Sequence, residues 1–378
     1  MNLTMINKVI NRVRSYWGLY FVYYRNAITL STFDLNEFSK KIIDYTESLR
    51  VGDYSYKFSH STDSPTLYSS CYACMIRGLL GKINEEEKQG WLDYFDCYQN
   101  DDGLFYDPLI TKKEEFANGD GWGARHLLPH LLIAYTKLGG VPKKKFNFLE
   151  PFENKEKMIE WLNSLNMNEI YSTSNQIMNV LCSMQYARDY MNCQFDESIR
   201  CAENWLQNCF NNDTGLWFPY RKMTRNNLNN AIRGSYHIFP IFVYDGISLP
   251  TEKTASSIKI TQNILGGFDT NLCSSACYDI DGIEPYLRFT KVCEGRVINK
   301  AFRWIMSNQN EDGGFVFQRY SPFKYGGDPL MSSKINESNI FATWFRALSI
   351  FYILGKIGAN SIVFTKTPGY EMPINNVQ

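Results

Sequence analysis

Trp304-Ile305-Met306-Ser307-Asn308-Gln309-Asn310-Glu311-Asp312-Gly313-Gly314-Phe315 joins the end of an amphipathic stretch to a polar turn and then to an aromatic residue. A glycine after Asn or Asp supplies the left-handed backbone that stops a helix, so the segment has a local structural cause. Two others follow the same plan. Trp91-Leu92-Asp93-Tyr94-Phe95 leads to Gln99-Asn100-Asp101-Asp102-Gly103-Leu104-Phe105, and Trp205-Leu206-Gln207-Asn208-Cys209 leads to Asn212-Asp213-Thr214-Gly215-Leu216-Trp217. A degenerate fourth copy is read at Trp161-Leu162-Asn163, whose turn has no glycine. One device used several times is the mark of a repeated supersecondary unit. The tryptophans at 161, 205 and 304 lie 205 − 161 = 44 and 304 − 205 = 99 residues apart, roughly one and two helical hairpins of ~50 residues.

Between the turns lie stretches of helical periodicity. Leu67 to Leu80 closes with Gly81, Leu127 to Leu138 with Gly139-Gly140, and Ile340 to Leu354 with Gly355; Ile177 to Tyr190 and Ala231 to Tyr244 behave similarly. These are more apolar than the helices that carry the tryptophans, as expected of an inner ring covered by an outer one. Strand-like alternation is scarce. About twelve helices of two alternating classes predict an all-α fold, an α/α toroid of about six helical hairpins around a central cavity. The cavity would be lined by the N-terminal ends of the inner helices. No Pro/Gly/Ser linker divides the chain, so residues 37–365 are read as one toroid domain. Residues 1–36 form an aromatic and basic helical segment packed on it, and residues 366–378 an irregular tail.

Composition narrows the function. Lys plus Arg total 39 and Asp plus Glu total 39, so the chain lacks the basic surplus of a nucleic-acid binder. Hydrophobics at 44% and charges at 21% of 378 residues are those of a packed protein rather than a disordered one. The outlier is the aromatic share of 15%, with 25 Tyr, 25 Phe and 8 Trp. It demands an aromatic core or an aromatic-lined cavity. Ten cysteines without a secretory signal at the N-terminus are read as reduced thiols of a cytoplasmic protein. Lys8, Arg12, Arg14 and Arg25 precede the first acid, Asp34. Beside aromatics they suit either a peripheral membrane contact through residues 1–30 or a terminal helix packed on the body.

The Gln-Asn-Glu-Asp-Gly-Gly-Phe turn at 309–315 resembles the Gln-rich, Gly-aromatic repeat of the terpenoid cyclase and protein prenyltransferase superfamily, squalene cyclases included. Ser338-Asn339-Ile340-Phe341-Ala342-Thr343-Trp344-Phe345-Arg346-Ala347-Leu348 is similar to the inner helix that follows such a repeat. The likeness spans roughly residues 60–358 and implies the toroid; toroids host unrelated chemistries, so it implies less about activity.

The most suggestive site is Ala276-Cys277-Tyr278-Asp279-Ile280-Asp281-Gly282-Ile283-Glu284-Pro285. On a helix over 274–291, Cys277, Asp281, Glu284 and Arg288 fall at i, i+4, i+7 and i+11, on one stripe. A polar stripe on an inner helix is expected to face the cavity, because carboxylates between packed helices are costly. Asp279-x-Asp281 resembles in part the Asp-x-Asp-Asp acid of class II terpene cyclases. The resemblance implies that Asp281, tuned by Asp279 and Glu284, protonates an alkene while aromatic faces stabilise the carbocation. Gly282 stands where the last Asp of that motif would be. The structural alternative makes Asp279 a helix N-cap with Pro285 in the first turns.

A second site is Asp120-Gly121-Trp122-Gly123-Ala124-Arg125-His126-Leu127-Leu128-Pro129-His130. His126 and His130 have the i, i+4 spacing that can share a metal, but no Glu stands in the zincin position. Arg125 and His126, with Trp122, are read as substrate-binding groups facing the cavity, joined by Tyr236 and His237 from across the ring; His130 is read as a core histidine. Cys277, Arg288 and Trp344 complete the expected binding residues. The Asp-x-Cys pair and later His that hold zinc in prenyltransferases are incomplete here, and Cys71-Tyr72-Ala73-Cys74 is read as buried thiols. No metal and no cofactor is expected, and the expected partner is a small molecule or a glycan.

Three classes of function follow. The first is an enzyme running acid-initiated chemistry on an isoprenoid or similar apolar substrate in an aromatic cavity. The second is a carbohydrate-active enzyme, a hydrolase, lyase or epimerase, in which Asp281, Glu284, His126 and His237 share acid and base roles. The third is a non-catalytic binding scaffold, in which the acidic stripe is hydrogen-bonded away.

Overall fold

The computed structural model describes residues 3–25, 28–292, 294–358 and 366–369, and these are mostly helical. The helices are α1 (Leu3–Arg25), α2 (Leu35–Ser48), α3 (Leu67–Leu79), α4 (Glu85–Asp96), α5 (Lys113–Asn118), α6 (Ala124–Leu138) and α7 (Lys155–Ser164). After these come α8 (Ile170–Met191), α9 (Asp196–Asn208), α10 (Arg225–Asp245), α11 (Thr254–Thr261), α12 (Ala276–Phe289), α13 (Gly295–Met306) and α14 (Ile340–Lys356). The described strands are two residues long: β1 (Phe323–Lys324) pairs antiparallel with β2 (Ser332–Ser333).

Leaving out α1 and the short α5, twelve helices remain in two classes. Helices α3, α6, α8, α10, α12 and α14 are buried along most of their length. Each packs on the next, α3 on α6, α6 on α8, α8 on α10, α10 on α12 and α12 on α14, and α14 packs back on α3. The other class bears exposed charge on one face; most of it rests on the first, as α4 does on α6 and α11 on α12, whereas α7 packs on α9. One buried cluster runs from Phe38 to Leu354.

The turns after the outer helices explain the repeat. In each, an Asn N–H donates across the turn and its carbonyl takes the glycine N–H. Asn100 donates to Leu104 (2.9 Å) and accepts from Gly103 (3.0 Å); Asn211 donates to Leu216 (2.9 Å) and accepts from Gly215 (2.8 Å); Asn310 donates to Gly314 (2.9 Å) and accepts from Gly313 (3.1 Å). The real fourth copy is Gln262-Asn263-Ile264-Leu265-Gly266-Gly267-Phe268, where Asn263 donates to Gly267 (2.8 Å) and accepts from Gly266 (3.1 Å). Gln262 Nε2 donates to the Gly266 and Val297 carbonyls at 3.1 and 3.0 Å, as Gln99 Nε2 does to those of Gly103 and Lys144 at 3.0 and 2.9 Å. The copy expected at Trp161 is not one: α7 ends in extended backbone at Leu165, and a short 3-10 turn at Met167–Glu169 leads straight into α8.

Other boundaries differ in informative ways. Ser275, not Asp279, caps α12, its hydroxyl accepting the Tyr278 N–H, and Pro285 lies well inside that helix. Helix α14 runs through Gly355 and stops before Gly358, whose φ is +69°. Of the expected tail, Thr367 is buried against Thr136, their hydroxyls 3.1 Å apart; the rest of it, from 370, lies outside the described residues, as do 359–365. The nine described cysteines are free thiols, and among the described residues no helix is long and apolar enough to cross a membrane.

Candidate active site

Five of the six buried helices send side chains into one cavity of about 80 Å³, from their N-terminal halves in α6, α8, α12 and α14 and from mid-helix in α10. Helix α6 supplies His126 and His130, α8 Tyr171, Asn175 and Met178, α10 Tyr236 and His237, and α12 Cys277, Ile280 and Asp281. Phe341 and Phe345 of α14 and Tyr325, after β1, complete the aromatic wall. Tyr171, 38% exposed, marks the mouth.

Asp281 is the acid of this cavity. Its side chain is buried, its Oδ2 has no hydrogen-bond partner, and burial pushes its carboxyl well up, against the pull of the Arg233 guanidinium. Burial of this kind favours the protonated form over the charged one. The three histidines are its opposites. Desolvation lowers His126 to about 4 and His237 to about 3, and His130 is driven well down by burial and by the two neighbouring imidazoles, so all three are neutral bases. His126 Nδ1 lies 3.1 Å from the hydroxyls of both Tyr68 and Tyr325. Ser174 Oγ lies 3.0 Å from both the Tyr171 carbonyl and His237 Nδ1; with its hydroxyl proton on the carbonyl it accepts from His237 Nδ1–H, the tautomer in which Nε2 is the basic nitrogen.

The predicted stripe of α12 divides. Cys277 and Asp281 face the cavity, whereas Glu284 and Arg288 are past it and bond to each other, Arg288 Nε donating to Glu284 Oε1 at 2.6 Å. Asp279 does not look into the cavity either. Its Oδ2 accepts from Arg346 Nη1 and Trp304 Nε1, both at 2.7 Å, and its Oδ1 from the Phe268 N–H at 3.3 Å. The expectation of three acids in the cavity is corrected to one: Glu284 pairs with Arg288 one helical turn on, and Asp279 with Arg346, a partner that sequence spacing does not reveal.

The binding residues divide as well. His126, Tyr236, His237 and Cys277 line the cavity. Arg125 turns outward, half-exposed, its guanidinium 3.9 Å from Asp120 and 5.8 Å above the Phe148 ring. Trp122 packs edge-on against Phe116, in the space a side chain at Gly326 would need. Trp344 is fully buried in the core away from the cavity. His130, read as a core histidine, is a cavity residue, its ring 4.8 Å from that of His126. The i, i+4 spacing of the two histidines carried that signal; Tyr171, Asn175 and Tyr325 gave none. Among the described residues, no three His, Cys, Asp or Glu side chains are grouped to hold a metal ion.

Next to this cavity is a polar cleft of about 310 Å³, lined by Asn226, Asn229, Asn230, Asn271, Arg233 and Asp269 among others. The Arg233 guanidinium stacks 3.3 Å from the centre of the Tyr278 ring and bonds Asp269 at 3.2 Å. Asn229 Oδ1 and Asp269 Oδ2 are buried there without hydrogen-bond partners.

No family model matches the chain, and no curated protein matches it. Among solved structures, it is similar to one described as the crystal structure of a protein from Actinoplanes. The two are 11% identical over 86% of this chain and 100% of that one, with a TM-score of 0.48.

Proposed function

We propose that the chain is an α/α toroid enzyme in which Asp281 starts a reaction by giving its proton to an unsaturated, largely apolar substrate of the isoprenoid class. The run of packed helices that returns from α14 to α3 supports the architecture. The single observation that carries the chemistry is the buried, unpartnered Asp281 Oδ2 inside an aromatic wall. The alkene π pair would form the new C–H bond, leaving Asp281 as carboxylate and a tertiary carbocation facing Tyr325, Phe341 and Phe345. Loss of a proton to His237 Nε2, and its return to Asp281, would close an isomerisation with no net consumption of acid. A cavity of about 80 Å³ admits only a handful of waters, so the reading takes a short substrate rather than a long polyprenyl chain. Incubation with short linear isoprenoids should give cyclised or isomerised products by gas chromatography–mass spectrometry, and Asp281→Asn should give none. A panel without product from the wild type sinks the reading.

A second reading, a carbohydrate-active enzyme, is favoured by the asparagine-rich cleft, whose orphaned acceptors suit hydroxyl donors. Release of reducing sugar from a glycoside panel, with the isoprenoid panel silent, would decide for it. The scaffold reading is disfavoured by the cavity's polar cluster, although Asp279 and Glu284 are indeed bonded away. The net charge of zero supports a small-molecule substrate over nucleic acid.

A further inference from the structure

Helix α1 has two apolar faces. One is used: Leu19 and Tyr23, 2% and 4% exposed, pack with Leu265 and Trp304, and Gly18 lets the Tyr320 hydroxyl approach so closely that a Cβ would lie 2.2 Å from it. The other is not. Met5, Val9, Val13, Trp17, Tyr20 and Tyr24 follow one another at steps of three and four, so they form a single stripe; all six are exposed, from 47% to 68%. Lys8 and Arg12 flank that stripe on one side and Arg14 on the other, and no acid occurs before Asp34.

The turn beside α1 carries the same message. Where the other Gln-Asn turns have Asp101-Asp102 and Glu311-Asp312, this one has Ile264-Leu265. Leu265 is buried beneath α1, and Ile264, 68% exposed, shares an apolar groove with Trp17 and Tyr20. A turn made polar at its other sites has become apolar where it extends the stripe.

From this geometry we infer that α1 and Ile264 dock the protein onto an anionic bilayer. The helix lies in the plane of the interface, its apolar stripe enters the acyl boundary, Trp17 and the tyrosines sit at headgroup level, and the three cations meet phosphate. A second copy of the chain is the poorer occupant, because two such helices face to face bring cations together with no acid on either to pair them. The inference does not depend on the chemistry assigned to the cavity.

The test is flotation of the full chain with vesicles of phosphatidylcholine alone and with about a third phosphatidylglycerol. The wild type should float with the anionic vesicles and be released by salt. The Val9→Ser/Val13→Ser/Trp17→Ser variant should lose binding to the anionic vesicles. The Lys8→Gln/Arg12→Gln/Arg14→Gln variant should lose about a hundredfold in affinity for the anionic vesicles, at roughly a factor of five per cation. Every substituted residue is exposed, so both variants should keep the wild-type melting temperature. Wild-type protein left in the pellet with both vesicle types, or apolar-to-serine protein that floats as well as wild type, overturns the inference. So does a wild-type dimer that the serine variant converts to monomer without any lipid binding.

Discussion

Asp279 and Asp281 are two residues apart, equally buried, and have opposite jobs. Asp279 neutralises the fully buried Arg346, and removing it strands that charge; Asp279→Ala should cost about 3–5 kcal/mol by urea melts, lowering activity only through loss of folded protein. Asp281 has no such partner on its Oδ2. Because the folded state raises its pKa, folded protein binds the extra proton above the ordinary carboxylate range, and this group's contribution to stability declines as pH rises through that range. Asp281→Asn should therefore melt at or above the wild-type temperature at pH 7 while abolishing turnover. A variant that both unfolds and dies would make Asp281 a structural residue. His237→Ala should fold and lose turnover by roughly 10²–10⁴ if its Nε2 is the base, measured as kcat at saturating substrate.

At the scale of the element, the recurring Gln-Asn turn is a docking device as much as a helix stop. Gly313 has φ +90°, and a Cβ there would lie 2.2 Å from the Lys41 carbonyl of α2; Gly266 has φ +113°, with 2.1 Å to the Lys300 carbonyl of α13. Alanine at either must strain the backbone and push the next outer helix away, so Gly313→Ala and Gly266→Ala should each cost about 2–4 kcal/mol, read from chemical denaturation. Helical class and most helix ends were legible in the sequence, because glycine stops and apolar periodicity are local. The copy at 262–268 was not, because α11 carries no tryptophan and Ile264-Leu265 hide the acidic signature. The site was half legible for the same reason. His126 and Asp281 follow from helical spacing and His237 from its place on an apolar helix, but what silences Asp279 is an arginine 67 residues away.

For the whole molecule, the three cavity imidazoles set the acid limit. Unfolded, each takes up a proton near pH 6.5; folded, His126 does so only at about 4 and His237 at about 3. Between those values the unfolded chain binds more protons, so stability falls with falling pH, by up to about 1.4 kcal/mol per pH unit for each histidine. Melting temperature should drop steeply from pH 6.5 to 4.5, and a variant with His126, His130 and His237 changed to Gln should flatten that slope. A profile unchanged by the triple substitution would mean that these rings are solvated.

Segment 332–340 is stitched to the start of the buried core: the Ile340 N–H donates to the Phe58 carbonyl at 2.9 Å, and Ser59 Oγ to that of Ser332 at 2.8 Å. Helix α14 then lies between α3 and α12. During synthesis, the greasy flank of α3 must therefore wait, uncovered, until α14, more than 250 residues later, has left the ribosome. Such a nascent chain is a client for holdase chaperones, and a stop codon shortly before 340 would leave it one indefinitely.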